Sequence, residues 1–440
     1  MARRRRLWGR ILLAVALLLV VAGVAVYWYV RPLLLTGTGY AAHNACAVLN
    51  VAGREDPEAD LPPNPLVPYL RTAVNDDGSI STTVLGILAK QTAWYTEGFG
   101  CTIAAERPSL PASAAPITSS NPIAEATDPA SVPPELAAAL DAAFADGLGT
   151  RAVVVVKEGA LIAERYADGF TKDTPQLGWS MAKSVTNLLV GRMADQRAIQ
   201  LTDNDLREDW ARDERRDISV DDLLRMQSGL RWDETYDLGT AITKMLYLDG
   251  DMAASAAAQP LDHAPGTFQQ YSSGSTNIAC EALLLKARDS ANLPRTQLLA
   301  PLGISSAVWE PDASGVPVCS SYLWATPRDW AAIGQFALDD GVVDGRRLLP
   351  EGWMAEATTN TTAGTREDEN YGSGWWLNRN VDGSLAFPGL PADTYWASGH
   401  DGQRLFVIPS QGLVIARLGF SPDLGGDALA AHAVAISSAL

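Results

Sequence analysis

The sequence predicts an α/β protein. Its antiparallel β-sheet is flanked by helices, interrupted by a mainly helical insertion and preceded by one transmembrane helix. Three observations carry this. Residues 11–30 are an uninterrupted run without charge. A β-branched hairpin at 151–166 and three strand-like runs after residue 394 bracket a long, mostly helical middle. Helical segments at about 135–145 and 427–438 are placed to cover one sheet made from both ends of the domain.

Composition excludes several classes. The 440 residues are 47% hydrophobic and 19% charged, too apolar for a disordered chain. Four cysteines are too few for a small disulfide-stapled scaffold. The net charge of −17, from 34 Lys+Arg and 51 Asp+Glu, speaks against a nucleic-acid partner, which needs a basic face. The charge is also uneven. Arg3, Arg4, Arg5, Arg6 and Arg10 crowd the first ten positions, and no acid precedes Glu55.

The apolar run has the ~20 residues a helix needs to cross a bilayer, whereas the apolar part of a cleaved signal peptide is ~7–15 long. It ends in Tyr27, Trp28 and Tyr29, then Arg31, residues that suit the water–lipid boundary. No convincing small-x-small cleavage site follows. Residues 1–35 are therefore expected to be an Arg-rich cytoplasmic tip and an uncleaved signal anchor, with the remainder outside. A cleaved signal peptide is the alternative. Export to an oxidising compartment makes two disulfides the expectation. Of the three connectivities that four cysteines allow, Cys46 with Cys101 and Cys280 with Cys319 is the most local. Four free buried thiols are the alternative. No Cys-x-x-Cys or clustered Cys/His spacing exists, so neither a metal nor another cofactor is expected.

Residues 36–105 read as a small N-terminal extension, with strands at 80–85 and 91–95 after the turn Asn75-Asp76-Asp77-Gly78. Residues 106–134, rich in Pro, Ser and Ala, read as a linker or surface strap. The main domain spans 135–440. Its hairpin pairs 151–157 with 161–166 around Glu158-Gly159. Its last strands are 394–398, 404–408 and 413–418.

Three short segments carry chemistry. Ser180-Met181-Ala182-Lys183 opens a helix whose buried face is marked by Val185, Leu188, Leu189 and Met193. Three-residue spacing puts Ser180 and Lys183 on one side of the first turn. A serine needs a base to become a nucleophile, and a lysine serves only if burial lowers its pKa. Alone, the pair reads first as a capping serine and a solvated lysine. Next, Gln270-Tyr271-Ser272-Ser273 follows a Pro-Gly turn. A tyrosine there can relay a proton, or simply pack. Last, Ser398-Gly399-His400-Asp401-Gly402-Gln403 joins two strands, where a backbone amide can face an oxyanion.

In this order and spacing the three segments resemble the β-lactamase-related serine hydrolase family. It comprises class C β-lactamases, DD-peptidases, esterases and 6-aminohexanoate-dimer hydrolases, with motifs Ser-x-x-Lys, Tyr-x-Asn or Tyr-x-Ser, and Lys-Thr-Gly or His-x-Gly. The segments Asp221-Asp222-Leu223-Leu224-Arg225-Met226-Gln227-Ser228-Gly229-Leu230, Pro301-Leu302-Gly303-Ile304 and Tyr371-Gly372-Ser373-Gly374-Trp375-Trp376 are similar to further family blocks. Residues 41–102 resemble the extension of membrane-anchored bacterial members, which implies a bacterial inner membrane with the remainder of the chain in the periplasm. The resemblance implies a β-lactamase/transpeptidase-like fold, with Ser180 as acyl-accepting nucleophile, Lys183 as its activator and Tyr271 as proton relay. The amides of Ser180 and Gln403 would form the oxyanion hole. Ser273, His400, Asp401, Gly402, Tyr236 and Trp375 would lie on the substrate side.

His400 stands where β-lactamases carry the lysine that fixes a substrate carboxylate. Neutral near pH 7, it suits an ester or amide with a weaker carboxylate requirement. The expected activity is hydrolysis of a small ester, amide or peptide through an acyl-enzyme. DD-carboxypeptidase or β-lactamase activity, or a non-catalytic envelope binding protein on the same fold, are the alternatives. A Ser-His-Asp triad using His263, His400 or His432 ranks lower, because no Gly-x-Ser-x-Gly elbow follows a strand.

Overall fold

In a computed structural model that describes residues 2–114, 119–129 and 131–440, the chain opens with one long helix, α1 (Ala2–Asn50). Its apolar half stands clear of the protein. Leu12, Leu13, Leu17, Leu18 and Leu19 are each at least 64% exposed, and by length and composition the helix can cross a membrane. The side chains of Arg3, Arg5 and Arg6 in the expected cationic tip, and residues 115–118 and 130 of the expected linker, lie outside the described residues.

The helix continues past the boundary expected at residue 35. From Thr36 to His43 it is buried against the body of the protein. Glycine is a poor helix former, but here it permits close approach. A Cβ added at Gly39 would come within 2.8 Å of the Tyr247 carbonyl oxygen. Tyr40, one residue on, stacks on the Tyr247 ring at 4.9 Å. Packing thus outweighs local propensity, and the end of the apolar helix becomes part of the domain that follows.

A four-stranded antiparallel sheet lies along this half of α1: β1 (Leu70–Val74), β2 (Ile80–Val84), β3 (Leu88–Thr96) and β4 (Gly100–Ile103), in that order. β2 and β3 fall where the sequence places strands. β1 and β4 do not announce themselves, because β1 is largely exposed and β4 is four residues long. Cys46 and Cys101 are bonded, tying α1 to β4. The extension is joined to the main domain through buried polar contacts. Glu310, fully buried, accepts the Cys101 N–H at 2.7 Å and the Trp324 indole N–H at 3.0 Å, and lies 3.0 Å from His43 Nε2. A buried carboxylate requires such partners.

The main domain follows the predicted plan. α2 (Pro134–Ala143) precedes the hairpin β5 (Thr150–Lys157) and β6 (Ala160–Tyr166). The helical middle contains α3 (Met181–Asp195), α4 (Val220–Leu224), α5 (Ala241–Leu248), α6 (Met252–Ala257), α7 (Ser273–Ala287), α8 (Pro327–Leu338) and α9 (Trp353–Ala357). Then come β7 (Trp376–Leu377), β8 (Tyr395–Gly399), β9 (Gln403–Ile408), β10 (Leu413–Gly419) and α10 (Gly426–Ser438). The six strands form one antiparallel sheet in the order β7-β8-β9-β10-β5-β6. The short edge strand β7 extends the five-stranded expectation.

Alternation along the strands builds two cores. Val153, Val155, Phe406, Ile408 and Ile415 face Leu136, Leu140 and Ile436 of α2 and α10. Val154, Val156, Leu405, Val407 and Val414 face Val185, Leu189, Trp330 and Phe336 of α3 and α8. Coverage on both faces explains why residues 153–156 read as an unbroken apolar run. The second disulfide, Cys280–Cys319, ties α7 to the segment before α8.

Candidate active site

The site is assembled at the start of α3. Ser180 is the residue just before the helix and is 9% exposed. Trp179 before it has φ of +49°, a left-handed conformation that costs a bulky residue roughly 1–3 kcal/mol. A cage of rings holds it there: Tyr40, Tyr236, His400 and Tyr322 all pack against its indole at centroid distances of 5.6–6.2 Å. The first of these comes from α1.

Lys183, 1% exposed, reaches back over one helical turn. Its Nζ lies 2.8 Å from Ser180 Oγ, 2.8 Å from Ser273 Oγ and 3.2 Å from the Ser320 carbonyl oxygen. An ammonium has three N–H donors, and three acceptors surround it. Burial pushes Lys183 down to about 8, against the opposing pull of Glu234. Tyr271 closes the other side, its ring centroid 4.7 Å from Lys183 Nζ. Its phenol is held above its ordinary pKa by burial first and by Glu234 next, while hydrogen bonding with Ser180 opposes them. Ser180, Lys183, Tyr271 and Ser273, spread over 93 positions, thus meet at one point.

Two residues at this point escaped the sequence reading. Glu234 lies 3.7 Å from Lys183 Nζ. It accepts the Ser273 hydroxyl at 2.5 Å, the Ser273 N–H at 2.9 Å and the Trp232 indole N–H at 2.5 Å. The signal was its place two residues before Tyr236. Ser320 turns its carbonyl to Lys183 and donates its own N–H to Asn277 of α7 at 3.0 Å. Its neighbour Cys319 is bonded to Cys280 of the same helix, so the disulfide holds the acceptor in place.

The third segment reaches the site by a close backbone approach. A Cβ on Gly399 would collide with the Gly178 carbonyl oxygen, so only glycine lets the end of β8 lie against the residue two before Ser180. Gln403 pairs with Gly399 across the turn. The Gln403 side chain locks that turn, donating to Gly419 O at 2.6 Å and accepting from Gly419 N at 3.0 Å. The side chain is thus taken up by the turn itself.

The residues expected on the substrate side divide. His400 stacks on Tyr236 at 4.0 Å, and burial lowers its pKa to about 4, so it is neutral at pH 7. Beyond this wall is a cleft of about 350 Å³, lined by Tyr236, His400 and Asp401 and, from the N-terminal part, by Thr36, Tyr40 and Pro62. Burial raises Asp401 to about 7, and its Oδ1 has no hydrogen-bond partner among the described residues. Gly402 is not among the residues that line this cleft, and a Cβ there would meet Arg417 and Ser421. Trp375 is corrected outright. It is fully buried, edge-on to Tyr395 at 5.2 Å and with its indole N–H directed at Asn187. The neighbouring Trp376 is the one that packs on Tyr271, at 5.4 Å. Among the described residues no cluster of His, Cys, Asp and Glu is suited to a metal ion.

Known proteins share this arrangement of elements. Among curated proteins, the 6-aminohexanoate-dimer hydrolase of Paenarthrobacter ureafaciens is 25% identical over 297 residues, 62% of this chain and 73% of its own. Among solved structures, a penicillin-binding protein homolog from Caulobacter crescentus has a TM-score of 0.56 at 19% identity, over 71% of this chain and 100% of its own. A family VIII carboxylesterase has 0.55 at 19%, over 72% and 99%. At these identities the structural likenesses speak for the fold. The family profile named Beta-lactamase matches residues 137–436, from α2 to α10, so that sheet, helical insertion and all three sequence segments fall inside the match. On that ground the chain belongs to the beta-lactamase family.

Proposed function

We propose that this protein is a membrane-anchored serine hydrolase that cleaves an ester or amide bond through an acyl-enzyme on Ser180, on the extracytoplasmic face of a bacterial inner membrane. The observation that carries the reading is the buried Lys183 amine 2.8 Å from Ser180 Oγ. In its neutral form Lys183 accepts the Ser180 proton as Oγ attacks the carbonyl carbon. The amides of Ser180 and Gln403 receive the oxyanion, aided by the start of α3. Tyr271 passes a proton to the departing alcohol or amine, and water then releases the acyl group. Ser273 keeps Lys183 aimed at Ser180. The exposed apolar half of α1 supplies the anchor. The decisive experiment is intact mass after exposure to a fluorophosphonate probe. One adduct on the wild type and none on Ser180→Ala supports the reading. A folded wild type that takes no adduct overturns it in favour of a non-catalytic binding protein.

Glu234 sets when Lys183 is neutral. Its charge favours the protonated amine. Removing the charge with Glu234→Gln makes Lys183 easier to deprotonate, so the rising limb of kcat/KM moves to lower pH. A limb that stays or moves upward in a pH–rate profile contradicts this assignment.

A second reading, in which the substrate carries a carboxylate as DD-peptidase and β-lactam substrates do, rests on Arg404. This partly buried guanidinium donates to the Gly399 and Gln403 carbonyls at 3.2 and 2.8 Å and has no carboxylate partner among the described residues. Burial lowers it to about 10, so it is charged at neutral pH. On this reading Arg404→Gln raises KM about tenfold for carboxylate-bearing substrates and leaves neutral esters unchanged. Equal effects on both would dismiss it.

A further inference from the structure

One end of the N-terminal sheet carries an apolar patch that the active site does not use. The turn between β2 and β3 exposes Leu85 and Ile87, at 59% and 83%. Tyr69, whose carbonyl accepts the Leu85 N–H at 2.9 Å, is 52% exposed beside them. Large side chains gathered at one tip are costly in water and mark a contact surface.

The height of this tip along α1 is set by two hydrogen bonds. Thr38 Oγ1 donates to the Ala89 carbonyl at 2.7 Å, and the Ala89 N–H donates to Tyr27 Oη at 3.2 Å. Farther along, Cys46 is bonded to Cys101, which pairs with Tyr95 at the other end of β3. β3 therefore runs beside α1 and away from the apolar run. Ile87 comes two residues before Ala89. It lies in the turn that precedes β3, on the side of Ala89 nearer that run. Ala89, bonded to both Tyr27 and Thr38, borders the stretch of α1 between them, which holds Val30 and Arg31, where the uncharged run ends and near which Trp28 and Tyr29 are also exposed.

Charge agrees with the placement. The chain has 51 Asp and Glu, yet none lies between residues 61 and 75 or between 78 and 96, the segments that contain β1, β2 and β3, and the nearest acids along the chain on the sheet's own turns, Asp76, Asp77 and Glu97, lie at the opposite end. The exposed Arg71 and Lys90 flank the tip instead. Basic side chains beside apolar ones suit a surface of phosphate headgroups over acyl chains.

We propose that Tyr69, Leu85 and Ile87 form a second lipid-contacting element, seated in the interface of the leaflet from which α1 emerges. The partner is a phospholipid bilayer. A domain held by one helix can swing about it, whereas two contacts fix its orientation. The cleft wall that begins at Thr36, six residues or ~9 Å of helix beyond Val30, is then held just above the headgroups. The inference rests on the anchor reading of α1 and is independent of catalysis.

The test places an environment-sensitive fluorophore on single added cysteines in the full chain, in nanodiscs of phosphatidylcholine and phosphatidylglycerol with spin-labelled lipid. Leu18→Cys reports the anchor, Ile87→Cys the tip, and Asp76→Cys the opposite end of the same sheet. Quenching at Ile87 at least about twofold above that at Asp76, with strong quenching at Leu18, supports the proposal. Ile87 matching Asp76 while Leu18 is quenched overturns it and leaves the anchor intact. An unquenched Leu18 overturns both. Because Ile87 is exposed, the substitution leaves the core untouched, and Leu85→Cys gives an independent second reading.

Discussion

Alanine in place of Ser180 abolishes turnover, by at least about a thousandfold, while the thermal midpoint stays within about 4 °C of wild type. The two halves of this expectation have separate causes. Without Oγ no acyl-enzyme forms, and loss of a nucleophile removes nearly all the advantage of the groups that serve it. The hydroxyl bonds the Lys183 amine and the Tyr271 phenol, and each hydrogen bond contributes about 1 kcal/mol to stability. For a domain of this size that is a shift of a few degrees. Hydrolysis of a chromogenic ester and a melting curve on the same samples check both halves. Residual activity above a tenth of wild type would exclude Ser180 as the nucleophile.

Lys183→Ala costs about 10²–10⁴-fold in kcat/KM and also erases a pH dependence. The base form of Lys183 is the neutral amine. Its pKa is lowered from 10.5 to about 8 by burial, so wild-type activity rises as pH climbs through 8. The variant is flat in that window. The same shift enters stability with a definite sign. Between pH 8 and 10.5 the unfolded chain holds a proton on Lys183 that the folded chain has released, so wild type gains stability relative to the variant as pH rises across it. A variant that keeps the limb near pH 8 would assign the titration to another group. His400 does not fit that role, because burial takes it to about 4.

Patterns that repeat along the chain were legible. The valines at 153–156, the strands at 404–408 and 413–418 and the helix at about 427–438 appear within a residue or two of their expected places. Ser180 and Lys183 were legible because a helix puts residues three apart on one face. Tyr271 and Ser273 were found only through their likeness to a motif set, since nothing local tells a relay tyrosine from a packing one. Glu234 and Ser320 were missed. A lone glutamate in a loop, and a backbone carbonyl, acquire meaning only from what they face. Trp375 was misassigned because two adjacent tryptophans on an extended segment point to opposite sides, and their order alone does not say which side is the core.

By itself, then, the sequence determined the class of fold, the apolar helix and the serine–lysine pair, all of which follow from short-range periodicity, length and spacing. Only the tertiary structure decided that this helix is part of the domain, with Tyr40 beside Trp179 and Thr36 in the wall of the cleft. It alone brought Glu234 to Lys183 and turned Ser320 toward it. The physical reason is range. Local pattern governs which way a side chain faces on its own element, whereas burial, charge and pKa depend on groups tens to hundreds of residues away.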